Sequence, residues 1–300
     1  MEIKLPDHVW DTLACPYCGN SLRNLGDKFK CTGCEDEYSS DQGIPDLRLK
    51  RKKTVTLQFD IGVNFLPESS LIFSPLPRNR VSEVDYLKKR RPIRLTREQM
   101  SFLPKATSPD SIMLDLGCGN GIHKEICEDA GFKYVALDYD DSDAPMLGDG
   151  HALPFKDNSF DFIFSLAVLQ HIINPFVMMR EAFRVLKPGG KIFGTVAFLE
   201  PFHVNSYYHH THLGTFYTLK ASGFEVENVA PSVSWSVLKA QSIFLFNRLP
   251  APLPKVIVMP VYILHRLWWK AASFVSNKAS EKKRVLYLTG SFTFIAKKPE

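Results

Sequence analysis

The run Ile112–Leu116 leads directly into Gly117-Cys-Gly119-Asn-Gly121. An apolar run ending in three alternating glycines constrains this chain more than any other feature. Residues without side chains let the backbone turn sharply and let a ligand lie against it. From about residue 110 onward, short apolar runs alternate with helix-like segments, the pattern of a parallel α/β sheet. The spacing predicts a helix over 122–130 closed by Gly131, and strands over 134–138 and 161–165. Asn174 as N-cap and Pro175 at the first helical position predict a helix to residue 186, stopped by Pro188-Gly-Gly190. Further strands are expected over 191–197 and 224–229, a helix over 211–222, and a last strand over 285–297.

A glycine-rich turn alone also suits a dinucleotide. Here it opens an ordered series: Asp138 about twenty residues on, Asp149-Gly-His-Ala-Leu-Pro-Phe155, Asn158-Ser-Phe-Asp-Phe162, Leu169-Gln-His171 and Val185-Leu-Lys-Pro-Gly-Gly190. Over 110–197 at least, this series resembles the class I S-adenosylmethionine-dependent methyltransferases of the small-molecule, type 11-like group. The resemblance implies a Rossmann-like seven-stranded class I methyltransferase sheet and S-adenosyl-L-methionine as cofactor. Gly117, Gly119 and Gly121 would hold its methionine and ribose against backbone. Asp115 would meet its ammonium, Asp138 both ribose hydroxyls, and Asp149 with His151 would flank the adenine. The other reading of Asp149 is a turn-capping acid. Only ten residues separate Asp138 from Asp149, too few for a strand-helix-strand crossover of about a dozen. The adenine edge is then covered by less protein, by the N-terminal domain, or by an insertion over 234–280.

Four of the six cysteines stand as Cys15-x2-Cys18 and Cys31-x2-Cys34, twelve residues apart. Two such knuckles read as a tetrahedral four-thiolate zinc site, structural because no coordination position stays open. The surrounding segment has too few apolar residues for its own core, so metal binding must supply its folding energy. With Tyr38 and Gly43-Ile-Pro-Asp-Leu47, it resembles the small zinc ribbons found before bacterial methyltransferases. The organisation expected is a ribbon over 1–49, a basic connector over 50–105 and a methyltransferase domain over 106–300. The first fifty residues are expected to unfold without their metal while the cofactor domain stays folded.

The chain has 300 residues, 45% hydrophobic and 23% charged, values of an ordinary globular protein. Net charge is +5, but 50–97 holds 12 Lys/Arg against 4 Asp/Glu, so the remainder is −3. A basic block suits an anionic partner (RNA, phospholipid or a phosphorylated substrate) or a solvated surface; DNA is not expected. The opening residues lack an apolar signal region, and no run of about 18 apolar residues suggests a membrane span. A cytoplasmic protein is therefore expected, with peripheral contact at the inner membrane face left open. A helix is predicted over 82–91. The apolar stretch over 256–269 reads as a buried helix or lid, with an interfacial helix as the other reading.

The acceptor belongs at the strand carboxyl ends not used by the cofactor. His171 follows the fourth strand, while His203, Tyr207, Tyr208, His209, His210 and His212 follow the fifth. His171, His203 and Tyr208 are the candidate base and acceptor contacts, for an oxygen or carbon centre of a small-molecule, glycan or lipid-linked substrate. The strand-four sequence Ser165-Leu-Ala-Val-Leu169 lacks the motif of nucleobase amino-methylation. Cys118 and Cys127 lie on the cofactor turn and its helix rather than beside an acceptor. RNA methylation through ribbon and connector is the runner-up, and a non-catalytic zinc-ribbon adaptor a third reading.

Overall fold

The computed structural model describes residues 5–41, 43–60, 66–77, 80–84, 95–200, 205–233, 235–250, 252–275 and 280–300. His203 and most of the helix expected over 82–91 lie outside the described residues.

The N-terminal unit comprises α1 (Asp7–Thr12), β1 (Leu22–Asn24), β2 (Lys28–Cys31), β3 (Glu37–Asp41) and β4 (Ile44–Pro45). Its four strands pair antiparallel in sequence order. A 3-10 turn, Ser70–Phe73, and α2 (Arg97–Met100) follow. Thr96 and Gln99 form a reciprocal capping box at the start of α2, satisfying donors that a short helix otherwise leaves open.

The main sheet is built from β5 (Ile112–Leu116), β6 (Lys133–Leu137), β7 (Phe160–Leu166), β8 (Leu186–Ala197), β9 (Glu225–Pro231) and β10 (Ser291–Lys297), in order β6-β5-β7-β8-β10-β9. The first four strands in that order run parallel, and β10 is antiparallel to both its neighbours. Around it lie α3 (Lys124–Asp129), α4 (Pro175–Val185), α5 (His212–Ala221), α6 (Val237–Leu245), α7 (Leu253–Val275) and α8 (Glu281–Leu288). β7 is buried at six of its seven positions, as a strand covered on both faces must be. Thr211 caps α5 through the Gly214 N–H. Asn174 makes no side-chain cap, although Pro175 opens α4 as expected.

Three expectations are corrected. The described residues give the main sheet six strands, not seven. Past β6, among the described residues, there is only Leu147, bridged in parallel to Asp138 on one side and to Asp46 of the N-terminal unit on the other. The short link from Asp138 to Asp149 cannot return a full strand, and the ribbon exit takes the vacant edge. Residues 285–288 are helical rather than strand. Ser280 caps α8, and Glu281 pairs with Arg284 across its first turn. The stretch 256–269 is not a buried helix. It lies within α7, whose one buried residue is Pro254.

Both units share one core. Leu13, Phe29, Tyr38 and Leu47 cluster with Leu137, Phe155, Phe160 and Ile163. Backbone bonds stitch the junction: Ala14 N–H to Pro154 O at 2.9 Å, Lys156 N–H to Thr12 O at 2.8 Å, and Leu47 N–H to Leu147 O at 2.8 Å. Phe155 sits in that junction, fully buried, 5.0 Å from the Phe160 ring and bridged to Leu13. Phe155→Ala should cost about 3–5 kcal/mol. Urea unfolding should show the loss in one transition reporting both units; two separated transitions would contradict the shared core.

Candidate cofactor and acceptor site

β5 is flanked by β6 on one side and β7 on the other, so the order of connection reverses at its carboxyl end. Ligands of open α/β sheets bind at such a point. Gly117 there has φ +75°, and a Cβ on it would stand 2.3 Å from Val168 Cγ2. Only glycine fits between this turn and the end of β7. Gly119 also has positive φ, +54°, but a Cβ there would meet only Asp141 Oδ2 at 3.4 Å, so its outer side is open.

Asp138 closes over this turn. Its Oδ2 accepts the Gly119 N–H at 2.8 Å, and Oδ1 accepts Tyr139 N–H at 2.8 Å. Asp115 is buried at the end of β5; its Oδ2 accepts the Tyr134 hydroxyl at 2.7 Å and lies 3.8 Å from His123 Nδ1. Burial and the neighbouring Asp115 charge push the Tyr134 hydroxyl well up, so it stays a proton donor. Tyr134 was not foreseen, although it lies in the second strand two residues past Phe132. Burial, then Asp115, also pushes the Cys118 thiol up, and burial raises Cys127. Neither is a thiolate nucleophile near neutral pH.

Asp149 makes the turn-capping bonds that were its other reading. Its Oδ1 accepts His151 N–H at 2.8 Å and His151 Nδ1–H at 2.7 Å. Burial works to raise the Asp149 carboxyl, but the His151 bonds outweigh it and leave it below the ordinary range. His151 Nε2 accepts Asn174 N–H at 3.1 Å, so the ring is the neutral Nδ1–H tautomer and ties the loop to the start of α4. Sequence reasoning also missed the clamp beneath this loop. Arg184 donates to Phe155 O at 2.7 Å, Leu153 O at 3.0 Å, Asp157 Oδ1 at 2.8 Å and both Glu181 oxygens. The Glu181-x-x-Arg184 spacing on α4 was the available signal.

The acceptor candidates meet at one edge. Tyr207 and Tyr208 donate their backbone N–H groups to Gln170 O, at 2.7 and 3.3 Å. His171 Nδ1 donates to Asn205 O at 3.0 Å, and Tyr208 Oη donates to Ile173 O at 2.9 Å. A carbonyl only accepts, so neutral His171 carries its proton on Nδ1 and presents Nε2 as the acceptor nitrogen. The Tyr208 hydroxyl proton is committed to Ile173. His210 is buried, with its pKa lowered by that burial, and His212 packs edge-on against Phe73 at 4.7 Å. Ala167, between β7 and this edge, has φ +57°, an uncommon backbone state for a residue with a Cβ.

Among the described residues, one group of potential ligands converges: Cys15, Cys18, Cys31 and Cys34, with all four Sγ atoms within 4.8 Å of one another. Sulfurs about 2.3 Å from one ion at tetrahedral corners stand about 3.8 Å apart, so the set fits zinc. The Cys15–Cys34 and Cys18–Cys31 separations, 3.6 and 3.4 Å, far exceed a disulfide bond. Outer partners hold the sulfurs. Gly33 and Cys34 N–H groups donate to Cys31 Sγ at 3.3 and 3.4 Å, and Tyr38 Oη lies 3.2 Å from Cys15 Sγ.

Residues 114–194 match the family described as "Methyltransferase domain". The chain is 38% identical over 96 residues to a demethylmenaquinone methyltransferase of Renibacterium salmoninarum, covering 28% of this chain and 40% of that protein. A 27-O-demethylrifamycin SV methyltransferase of Amycolatopsis mediterranei is 32% identical over 98 residues, 27% of this chain and 36% of that protein. A sterol 24-C-methyltransferase of Schizosaccharomyces pombe is 36% identical over 104 residues, 29% of this chain and 27% of that protein. The chain therefore spans less than half the length of these relatives. The matched stretch runs from β5 into β8 and contains the glycine turn, Asp138, the Asp149 loop and His171.

The cysteine cluster should hold one zinc ion, read by elemental analysis of the purified chain, and Cys34→Ser should lose it. Because Phe29, Tyr38 and Leu47 belong to the shared core, that substitution should lower the melting temperature of the whole chain. A metal-free chain melting as the wild type would overturn this.

Proposed function

We propose that this chain is an S-adenosylmethionine-dependent methyltransferase acting on an oxygen or carbon centre of a small-molecule or lipid-linked acceptor. The observation that carries it is the Gly119 N–H to Asp138 carboxylate bond at the switch point. It places a charged acceptor beside an open glycine turn, as a ribose diol against bare backbone requires. The relatives' names support the acceptor class: a demethylmenaquinone, the 27-oxygen of a demethylrifamycin, and carbon 24 of a sterol.

When bound, the cofactor supplies an electrophilic methyl group on a sulfonium. The chain's own work is alignment and proton handling, and alignment alone can lower the barrier by roughly 7–11 kcal/mol at its upper end. Gly117, Gly119 and Gly121 would leave room for the cofactor, and Asp138 would accept its ribose hydroxyls. Asp115, oriented by Tyr134, would meet the ammonium. Asp149 and His151, locked to each other and to Asn174, would frame the adenine. His171 Nε2 takes the acceptor proton as the new bond forms, and Tyr208, held to Ile173, walls the acceptor edge. His203 belongs to the same proposal by sequence position. Zinc held by Cys15, Cys18, Cys31 and Cys34 would be structural, since four protein sulfurs leave no open coordination position.

Asp138→Ala should weaken S-adenosylmethionine binding by about 1–3 kcal/mol in calorimetry, leaving donors without their charged acceptor. Gly119→Val should abolish binding, since a branched side chain fills the open side of the turn. Unchanged affinity in both would remove the cofactor from this turn.

His171→Ala should lower turnover roughly a hundredfold or more, the loss of a general base, while cofactor affinity stays within about twofold. Turnover with labelled cofactor on fractionated host extract supplies the assay and identifies the acceptor class. Loss of cofactor binding with unchanged turnover per bound cofactor would put His171 on the wrong side.

A further inference from the structure

α7 has twenty-three residues, a length of about 34 Å. It rests on the body by a narrow stripe of half-buried residues, Val258, Tyr262, His265 and Trp269. Trp269 holds this stripe, donating to Ser280 O at 3.1 Å and lying 5.8 Å from the Tyr287 ring. Opposite the stripe the helix is apolar and open. Val256 is 57% exposed, Ile263 50%, Leu264 66%, Leu267 59%, Trp268 71% and Phe274 82%. Monomeric proteins rarely leave such a contiguous apolar face to water.

Charge identifies what covers it. Lys255 and Arg266, eleven positions or three helical turns apart, lie on one line beside the apolar face, and Lys270 adjoins them. From residue 228 to 280 the sequence has six Lys/Arg and no Asp or Glu. A second copy pairing through this face would bring like charges together with no carboxylate to meet them. An anionic lipid surface answers both the apolar face and its cationic flank. No helix among the described residues is long and apolar enough to cross a membrane, and the stripe held to the body leaves α7 lying flat.

We infer that α7 is a membrane-surface helix that lays its apolar face into the headgroup boundary of an anionic bilayer. The insertion leaves the sheet where β9 ends and returns where β10 begins, at the carboxyl end of β8, with Ser291 paired to Ala197. Trp235 Nε1 there donates to Glu200 at 2.8 Å, and Gly290 O accepts Phe198 and Leu199 N–H groups. Docking thus turns the acceptor edge toward the bilayer. That consequence rests on the methyltransferase reading above, whereas docking rests on α7 alone.

The test is flotation of the full chain with vesicles of equal parts phosphatidylglycerol and phosphatidylcholine, against phosphatidylcholine alone. The chain should float with the anionic vesicles, lose binding as salt rises, and show a blue-shifted emission that Trp268→Phe diminishes. Leu264→Glu with Leu267→Glu should weaken binding roughly tenfold or more. Should that pair fail to fold, Lys255→Glu with Arg266→Glu, which keeps the apolar face, should remove the preference for anionic vesicles. No flotation with anionic vesicles, or equal binding to both compositions, would overturn the inference. So would a dimer in light scattering that Leu264→Glu with Leu267→Glu dissociates while no vesicle binds. The assay reads docking without methyl transfer, so failure of either reading is seen separately.

Discussion

Leu147 belongs to no strand, yet its backbone joins the two halves of the molecule. Its N–H donates to Pro45 O and its carbonyl accepts Leu47 N–H, both at 2.8 Å. The residues on either side hold Asp138: Asp138 N–H donates to Met146 O at 3.0 Å, and Gly148 N–H to Asp138 O at 2.8 Å. Asp138 in turn accepts Gly119 N–H. A continuous path of hydrogen bonds, main-chain except for the Asp138 carboxylate at its end, therefore runs from the ribbon exit to the glycine turn. The ribbon's strands are short, and their geometry depends on four sulfurs converging on one point. That path links the ribbon to the candidate site, which the cysteine knuckles themselves do not touch.

The same arrangement settles a problem common to open sheets. An edge strand presents unpaired N–H and C=O groups that invite another chain. At the β6 end, Leu147 and Asp46 take those positions. Asp46 is braced by a two-pronged bond from Arg48, whose guanidinium also reaches Tyr139 O at 3.2 Å. Burial works against the Asp46 carboxylate, and the Arg48 bonds more than compensate, lowering its pKa. Toward β9, the 3-10 turn Ser70–Phe73 packs Phe73 against His212 and, 6.2 Å away, Phe216. Segments that precede the sheet in sequence thus serve both of its ends.

What was legible in the sequence is what local rules govern. Ile112–Leu116 with its glycines, Pro175 at a helix start and the paired cysteines each reveal themselves within a few residues. The residues 285–288 misled because an apolar run beside a strand reads as part of it; Ser280 as cap and the Glu281–Arg284 pair decide for helix. The ribbon's docking was not legible. It consists of backbone bonds between residues about a hundred positions apart, such as Pro45 to Leu147, and no side-chain pattern encodes them. The partners of Asp115 and of the Asp149 loop were hidden for the same reason: Tyr134 and Arg184 reach them only after the sheet and α4 are in place.

The connector's charge shows how local counting can misplace a function. Its cations read as a block for an anionic partner, but several have structural partners. Arg51 donates to both Asp36 oxygens and lies 4.0 Å from the Tyr17 ring centroid. Arg80 lies 4.2 Å from the Phe102 ring centroid. Asp36, held below its ordinary range by the Arg51 bonds, lies 3.0 Å from Cys34 Sγ, so Arg51 balances the acid beside the cysteine cluster. The cations of α7 differ in kind. They stand where no carboxylate occurs in the sequence for fifty-three residues and flank apolar side chains that the fold leaves uncovered. A cation answered by a carboxylate or an aromatic ring explains itself within the molecule. A line of cations along an open apolar face points outward, and that distinction needs the fold as well as the count.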